Sequence, residues 1–377
     1  MSSDTAPTTT TTTTTPLQEE DEDEDQPWVD AWIRWPEDEG KGVKHPKKKT
    51  SPDDDEHEDT DDSDSDLPLD PFAPDPRQTF VFEDTLQYPS SNNNNNSTHD
   101  NLTHPIHVEL QGFHDDSDQS WSSTGLTLWR ASRHLCHYLV QHPKLLKNCQ
   151  NICELGAGLG LCGIVAHHVL VALQEHEHYE QHQQQQDNSD DKNHNNTRVT
   201  HQVVVTDGDT DALRHLRLNV QQNQQQQSTS TTSNNNNPPP PRLEARQLLW
   251  GRDPTRAFLQ KCNHQLQQQH SSTTSTTDDH DTPPIENHDD GPFQLLLASD
   301  VVYVDTILPP LFETVQLLLS QKGVFLFAYC SRRQVPVTME MVLEHAHRAG
   351  FVETLLQEDD GIFLYQFQWK NHKQEEN

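Results

Sequence analysis

Asn151-Ile152-Cys153-Glu154-Leu155-Gly156-Ala157-Gly158-Leu159-Gly160-Leu161-Cys162-Gly163-Ile164-Val165-Ala166 is the stretch from which the rest of the chain can be read. A short apolar strand ends in an acid, glycines follow at alternate positions, and an apolar helix begins at once. Glycine lets a backbone turn tightly and approach a ligand, and a helix N-terminus presents N–H groups. Taken alone, the pattern predicts a strand–turn–helix unit at a nucleotide-type site.

The flanking segments repeat the alternation of strand and helix. Upstream, Thr124–Ser132 leads into a helix in which Leu128, Ala131, Leu135, Tyr138 and Leu139 recur at helical spacing as far as about Gln141. The glycine turn starts a helix running to about Leu173. Downstream strands are expected at His201–Thr206, Leu243–Leu249, Phe293–Ala298 and Val324–Tyr329, with helices carrying Leu213 and Leu216, then over Ile307–Ser320 and Val337–Ala349. A turn is placed at Gln321-Lys322-Gly323, and Phe351–Leu355 with Ile362–Trp369 predicts a terminal hairpin. Thr79–Phe82 and Ile106–Leu110 alternate and predict an N-terminal hairpin around the Asn92–Asn96 run. Near-continuous apolar strands imply burial on both faces, as in a parallel sheet covered by helices. The expected fold is therefore α/β and Rossmann-like, and its ligand site lies beyond the C-terminal strand ends.

Composition limits the size of that fold. Of 377 residues, 31% are hydrophobic and the mean hydropathy is −0.92, so one domain of about 200–230 ordered residues is expected. The domain is placed at 79–370, with low-complexity, disordered insertions at about 174–199, 221–241 and 263–291. Residues 1–76 are expected to form a disordered acidic tail, and 371–377 a second short one. Three tryptophans, Trp28, Trp32 and Trp35, lie in the long tail and read either as a docking motif or as loose packing on the domain. Pro46-Lys47-Lys48-Lys49 reads either as a nuclear localisation signal or as solvated charge.

The net charge of −34 and the lack of a sizeable basic patch argue against nucleic acid as a partner. Six cysteines show neither disulfide-framework nor CxxC zinc spacing, and the histidines lie mostly in Gln/Asn-rich tracts and show no HExxH pattern, so no metal is expected. Met1-Ser2-Ser3-Asp4 opens no secretory signal, and no apolar run is long enough to span a bilayer. The expectation is a monomer in the cytoplasm or nucleus, with no membrane partner.

The strand ends carry the chemistry. Asp207 is placed to accept hydrogen bonds from a ribose diol, with a helix cap as the alternative, for which Asp209 is the better candidate. Trp250 offers a flat face for a purine, or packs in the core. Gly158–Gly163 formally matches the dinucleotide pattern GxGxxG. Glu154, two residues before the first glycine, would repel a pyrophosphate and favour a ligand bearing an amino group and a sulfonium.

Glu154–Gly160 resembles motif I of the seven-strand S-adenosylmethionine-dependent methyltransferases. With Thr124-Gly125 and Leu128-Trp129, Thr206–Asp209, Leu249-Trp250-Gly251 and Asp300–Tyr303, the chain is similar to the methyltransferase-like 21 type (methyltransferase family 16), mostly protein-lysine methyltransferases. That resemblance covers about 79–370 outside the insertions. It implies S-adenosylmethionine as cofactor, with Trp129, Glu154, Gly156, Ala157, Gly158, Gly160, Asp207, Trp250 and Ser299 lining its site. It also implies a protein substrate presenting a lysine, with Asp300 orienting the ammonium and Tyr303 walling the channel. An acid often precedes the tryptophan in that subgroup, and here Leu249 stands there. The alternatives are methylation of a small molecule or another side chain, and an inactive module that binds partners.

Overall fold

The hydrophobic strand segments pair into two sheets among the residues that the computed structural model describes, namely 77–88, 103–113, 123–187, 200–228, 239–271, 291–331 and 336–370. The acidic tail with its tryptophans and the Pro46–Lys49 island lie outside these residues, as does 371–377. The described residues all fall within one compact unit.

The first sheet is an antiparallel hairpin of β1 (Arg77–Gln87) and β2 (Thr103–Phe113), in unbroken register from Arg77 opposite Phe113 to Gln87 opposite Thr103. Both strands are longer than their alternating cores predicted. Three helices follow: α1 (Arg130–Gln141), the short α2 (Pro143–Lys147) and, after β3 (Asn151–Leu155), the long α3 (Leu161–Asp187). Then come β4 (Gln202–Asp207), α4 (Thr210–Ser228), β5 (Arg242–Gln247), α5 (Arg252–Ser271), β6 (Phe293–Ser299), α6 (Leu308–Leu318), β7 (Leu319–Cys330), α7 (Met339–Arg348), β8 (Phe351–Asp359) and β9 (Ile362–Trp369).

The second sheet has seven strands in the order β5-β4-β3-β6-β7-β9-β8. Strands β5 to β7 run parallel, and β9 enters antiparallel between β7 and β8. From β3 the chain works outward to β5, then returns to lay β6 on the other side of β3. That reversal is the crevice where such sheets bind ligands, and the glycine turn sits at its mouth.

Alternation along the strands divides the core. Ile152, Val203, Leu295 and Leu326 face α1, α3, α4 and the hairpin, whereas Cys153, Val204, Leu296 and Phe325 face α5, α6 and α7. The hairpin is held by Phe82, Leu86, Ile106, Val108 and Leu110, all buried. Polar links add to this: Tyr88 Oη donates to the Ala172 carbonyl at 3.1 Å, and His137 Nδ1 lies 2.7 Å from Asp84 Oδ2.

Several boundaries differ from the sequence reading. The insertions expected from 174, 221 and 263 begin as helix, because α3, α4 and α5 run on into their Gln/His-rich segments. Glutamine is a good helix former, so a helix already nucleated on an apolar face propagates through it. Helix α5 itself went unpredicted, since only a few apolar side chains, Phe258 among them, mark its buried face. The turn placed at Gln321–Gly323 is an irregularity inside β7, where register passes from Phe293 opposite Leu319 to Leu295 opposite Val324.

Candidate active site

The glycine turn is left-handed at each of its glycines, with φ of 62° at Gly156, 52° at Gly158 and 91° at Gly160. Side chains would be strained there and would also collide. A methyl group on Gly156 would lie 2.8 Å from Val301 Cγ1 and 3.2 Å from Trp250 Cζ2, and one on Gly158 would lie 3.0 Å from the Gly125 carbonyl oxygen. The turn is thus pressed between the segment after β5, the segment after β6 and the one before α1.

Its main-chain donors are largely engaged within the protein. Ala157 N donates to the Thr206 carbonyl at 2.8 Å, and Gly160 N to the Ala157 carbonyl at 2.8 Å. Gly158 N donates to Asp207 Oδ2 at 2.9 Å, while Asp209 N donates to Asp207 Oδ1 at 2.9 Å. Asp207 therefore fastens the turn to the end of β4. Burial raises its pKa to about 6 against the opposing pull of the main-chain N–H groups at Asp209 and Gly158. Asp209 caps α4, accepting from Asp211 N at 2.9 Å and Ala212 N at 2.8 Å.

Glu154 has a role that the sequence reading did not anticipate. It is 2% exposed, and Oε2 accepts from Gly163 N at 2.8 Å, in the first turn of α3. It thus sits at the positive end of that helix, beneath the turn. Burial pushes its pKa up to about 7, opposed by main-chain donation from Gly163. This placement gives no support to the argument that Glu154 selects against a pyrophosphate by facing the ligand.

The remaining residues fall in two groups joined by the 124–129 segment. Gly125 packs on Gly158, its Cα 3.3 Å from where a Gly158 methyl would stand. Thr124, next to it, donates from Oγ1 to Tyr303 Oη at 3.3 Å, and its carbonyl accepts from Trp129 Nε1 at 2.9 Å. Trp129, half-buried, is the residue from which α1 starts. Ser299 Oγ lies 3.7 Å from Cys162 Sγ at the end of β6. Trp250 is half-buried, packed against the core of the α5–α7 face with one edge toward Gly156.

Asp300 departs most from its expected part. It is 5% exposed and left-handed, with φ 53°. Its Oδ2 accepts from Ala131 N at 3.1 Å and its Oδ1 from Cys330 N at 3.0 Å. The carboxylate holds main chain at the start of α1 and the end of β7, an arrangement that needs three elements in space and leaves no local signal in sequence.

The sequence-predicted residues thus gather at and just after the ends of β3, β4, β5 and β6 and at the start of α1, with Trp250 and Asp207 against the glycine turn, Glu154 beneath it, and Asp300 bound to the main chain of α1 and β7. Among the described residues no group of three or more His, Cys, Asp or Glu is arranged to hold a metal. No helix among them is long and apolar enough to cross a membrane.

A family model described as lysine methyltransferase matches residues 113–266 and 261–344, more than half of the chain. The chain belongs to that family. The match runs from the end of β2 into α7 and takes in every site residue named above. Comparison with curated proteins returned no match. Among solved structures, this member of the lysine methyltransferase family is similar to a ribosomal protein L11 methylase from Lactobacillus delbrueckii subsp. bulgaricus (12% identity, 64% of this chain, 79% of that one, TM-score 0.34). It is also similar to a Podospora anserina methyltransferase described as SAH-bound (10% identity, 65% and 89%, TM-score 0.31). A third is the magnesium protoporphyrin IX methyltransferase of Synechocystis PCC 6803, described with bound SAM (9% identity, 64% and 79%, TM-score 0.33).

Proposed function

We propose that the protein is an S-adenosylmethionine-dependent methyltransferase whose acceptor is a lysine side chain of another protein. The observation that carries the reading is the left-handed glycine turn at the sheet's reversal point, fastened by Asp207 and edged by Trp250, within a chain that belongs to a family described as lysine methyltransferase. When bound, S-adenosylmethionine supplies a methyl group on a sulfonium, open to in-line attack by an amine.

The chain's own residues supply position. The Gly156–Gly160 main chain allows close approach because no Cβ stands in the way. Trp250 presents an apolar face for adenine. Asp207 has lone pairs beyond the two that take Gly158 and Asp209, and these accept the ribose hydroxyls in this reading. Ala157, Gly158 and Ser299 border the remainder of the cofactor, and Trp129 closes the side next to α1. Tyr303 lines the acceptor channel, where an aromatic face favours a lysine cation before it loses its proton. Glu154 acts from below by fixing the start of α3. Because methyl transfer depends on alignment more than on acid–base groups, this largely apolar, tightly positioned site suits it.

Calorimetric titration of S-adenosylmethionine into the full chain tests the reading. Saturable binding is expected, weakened at least about tenfold (about 1.4 kcal/mol) by Asp207→Ala. Absence of binding at high micromolar ligand would refute it.

A further inference from the structure

The surroundings of Asp300 close on themselves. Asp300 accepts from the main chain of Ala131 at 3.1 Å and of Cys330 at 3.0 Å. Ser331, next to Cys330, donates from N at 2.8 Å and from Oγ at 3.0 Å to the Gly361 carbonyl in the turn between β8 and β9. Asp360, next to Gly361, accepts from Arg130 Nη2 at 2.7 Å through Oδ2. Arg130 in turn precedes Ala131. The start of α1, the end of β7, the β8–β9 turn and the end of β6 are thereby tied into one ring.

Two further observations mark this ring. Helix α1 has no side-chain cap of its own, since Trp129 at its N-cap makes none. Asp300 takes that place from another element, accepting from the second residue of the helix as an N-cap side chain would. Moreover, Asp300 and Asp360, with φ of 53° and 48°, are the non-glycine residues of positive φ among those described. Such conformations persist where surrounding bonds hold them, and both of these lie in the ring. One step from the ring, Trp129 and Tyr303 are bonded to the same residue, Thr124.

We infer that Asp300 is a positioning residue: it holds the start of α1, the end of β7 and the β8–β9 turn as one acceptor-side wall, and acts on methyl transfer through Tyr303 without touching the acceptor amine. This rests on the proposed methyltransferase reading and makes the β8–β9 turn part of the site. The ring's outermost link, Arg130 with Asp360, is exposed and can be cut without disturbing the core.

The test compares the full-length wild type with Asp300→Asn, Arg130→Gln and Asp360→Asn. Three readouts are taken: calorimetric affinity for S-adenosylmethionine, initial rate of tritium transfer from that cofactor into cell-lysate protein across pH, and amide exchange at Ala131 and Cys330. The two outer variants should each lower the rate about tenfold and Asp300→Asn about a hundredfold, all with the wild-type pH profile. Cofactor affinity should stay within about twofold in all three, a change of less than about 0.5 kcal/mol. Exchange at Ala131 and Cys330 should accelerate in Asp300→Asn. The inference is overturned if the outer variants transfer at the wild-type rate while Asp300→Asn is inactive, or if Asp300→Asn alone displaces the acidic limb of the pH profile. A wild type that neither binds cofactor nor labels protein refutes the methyltransferase reading itself, and this inference with it.

Discussion

Replacing Glu154 with glutamine should alter how the stability of the chain depends on pH. In the wild type the carboxyl is 2% exposed and burial raises its pKa from 4.5 to about 7. A carboxyl with a raised folded pKa holds its proton more tightly when folded. Its contribution to stability is complete below about pH 4.5 and is lost as pH rises through about 7. Each pH unit inside that window corresponds to about 1.4 kcal/mol, so from pH 5.5 to 8 the wild type should lose about 2 kcal/mol that the uncharged glutamine does not. Working above pH 5.5 keeps the chain clear of its pI of about 4.8. The buried His167 and His168, whose pKa values burial lowers, act in the opposite direction, but they are present in both proteins and cancel in the comparison. Urea unfolding followed by circular dichroism at pH 5.5, 6.5, 7.5 and 8 gives the two stability profiles. Wild type and Glu154→Gln should diverge by about 2 kcal/mol across this range. Profiles that stay parallel within about 0.5 kcal/mol would refute the buried, proton-linked role of Glu154 at the start of α3.

Trp250→Ala should weaken calorimetric binding of S-adenosylmethionine by about tenfold or more, since it removes the indole beside Gly156. Cofactor affinity should also weaken as pH falls below about 6, where Asp207 takes up a proton and loses acceptor capacity; a flat profile from pH 8 to 5.5 would remove Asp207 from the ribose site. Asp209→Ala should destabilise the chain by about 1 kcal/mol in urea unfolding through loss of the α4 cap, with cofactor affinity nearly unchanged.

Strands β3, β6 and β9 were legible within a residue or so because their apolar runs are bounded by glycine, proline or acid. Alternation of strands and helices pointed to a parallel sheet ending in an antiparallel pair, but not to the order of its strands. Helix α5 and the long tails of α3 and α4 were not legible, because polar glutamine-rich sequence supports helix without showing an apolar face. The strand ends placed Gly156, Asp207, Trp250 and Asp300 along one edge of the sheet, since each follows a recognisable strand. What their side chains bond was hidden. Asp207 reaches Gly158 across 49 positions, and Asp300 reaches Ala131 across 169. Contacts of that separation depend on strand order and loop geometry, which periodicity does not encode. Arg130 and Asp360 went unnoticed for the same reason.

Transfer of a methyl group to a protein lysine is measured most directly by incubating the purified full-length chain with tritiated S-adenosylmethionine and a cell lysate, followed by mass spectrometry of the labelled band. A labelled protein is expected whose modification is on a lysine ε-amine and whose labelling falls with Asp300→Asn. Cofactor binding without any labelled protein, or label on a small molecule or on another side chain, would contradict it.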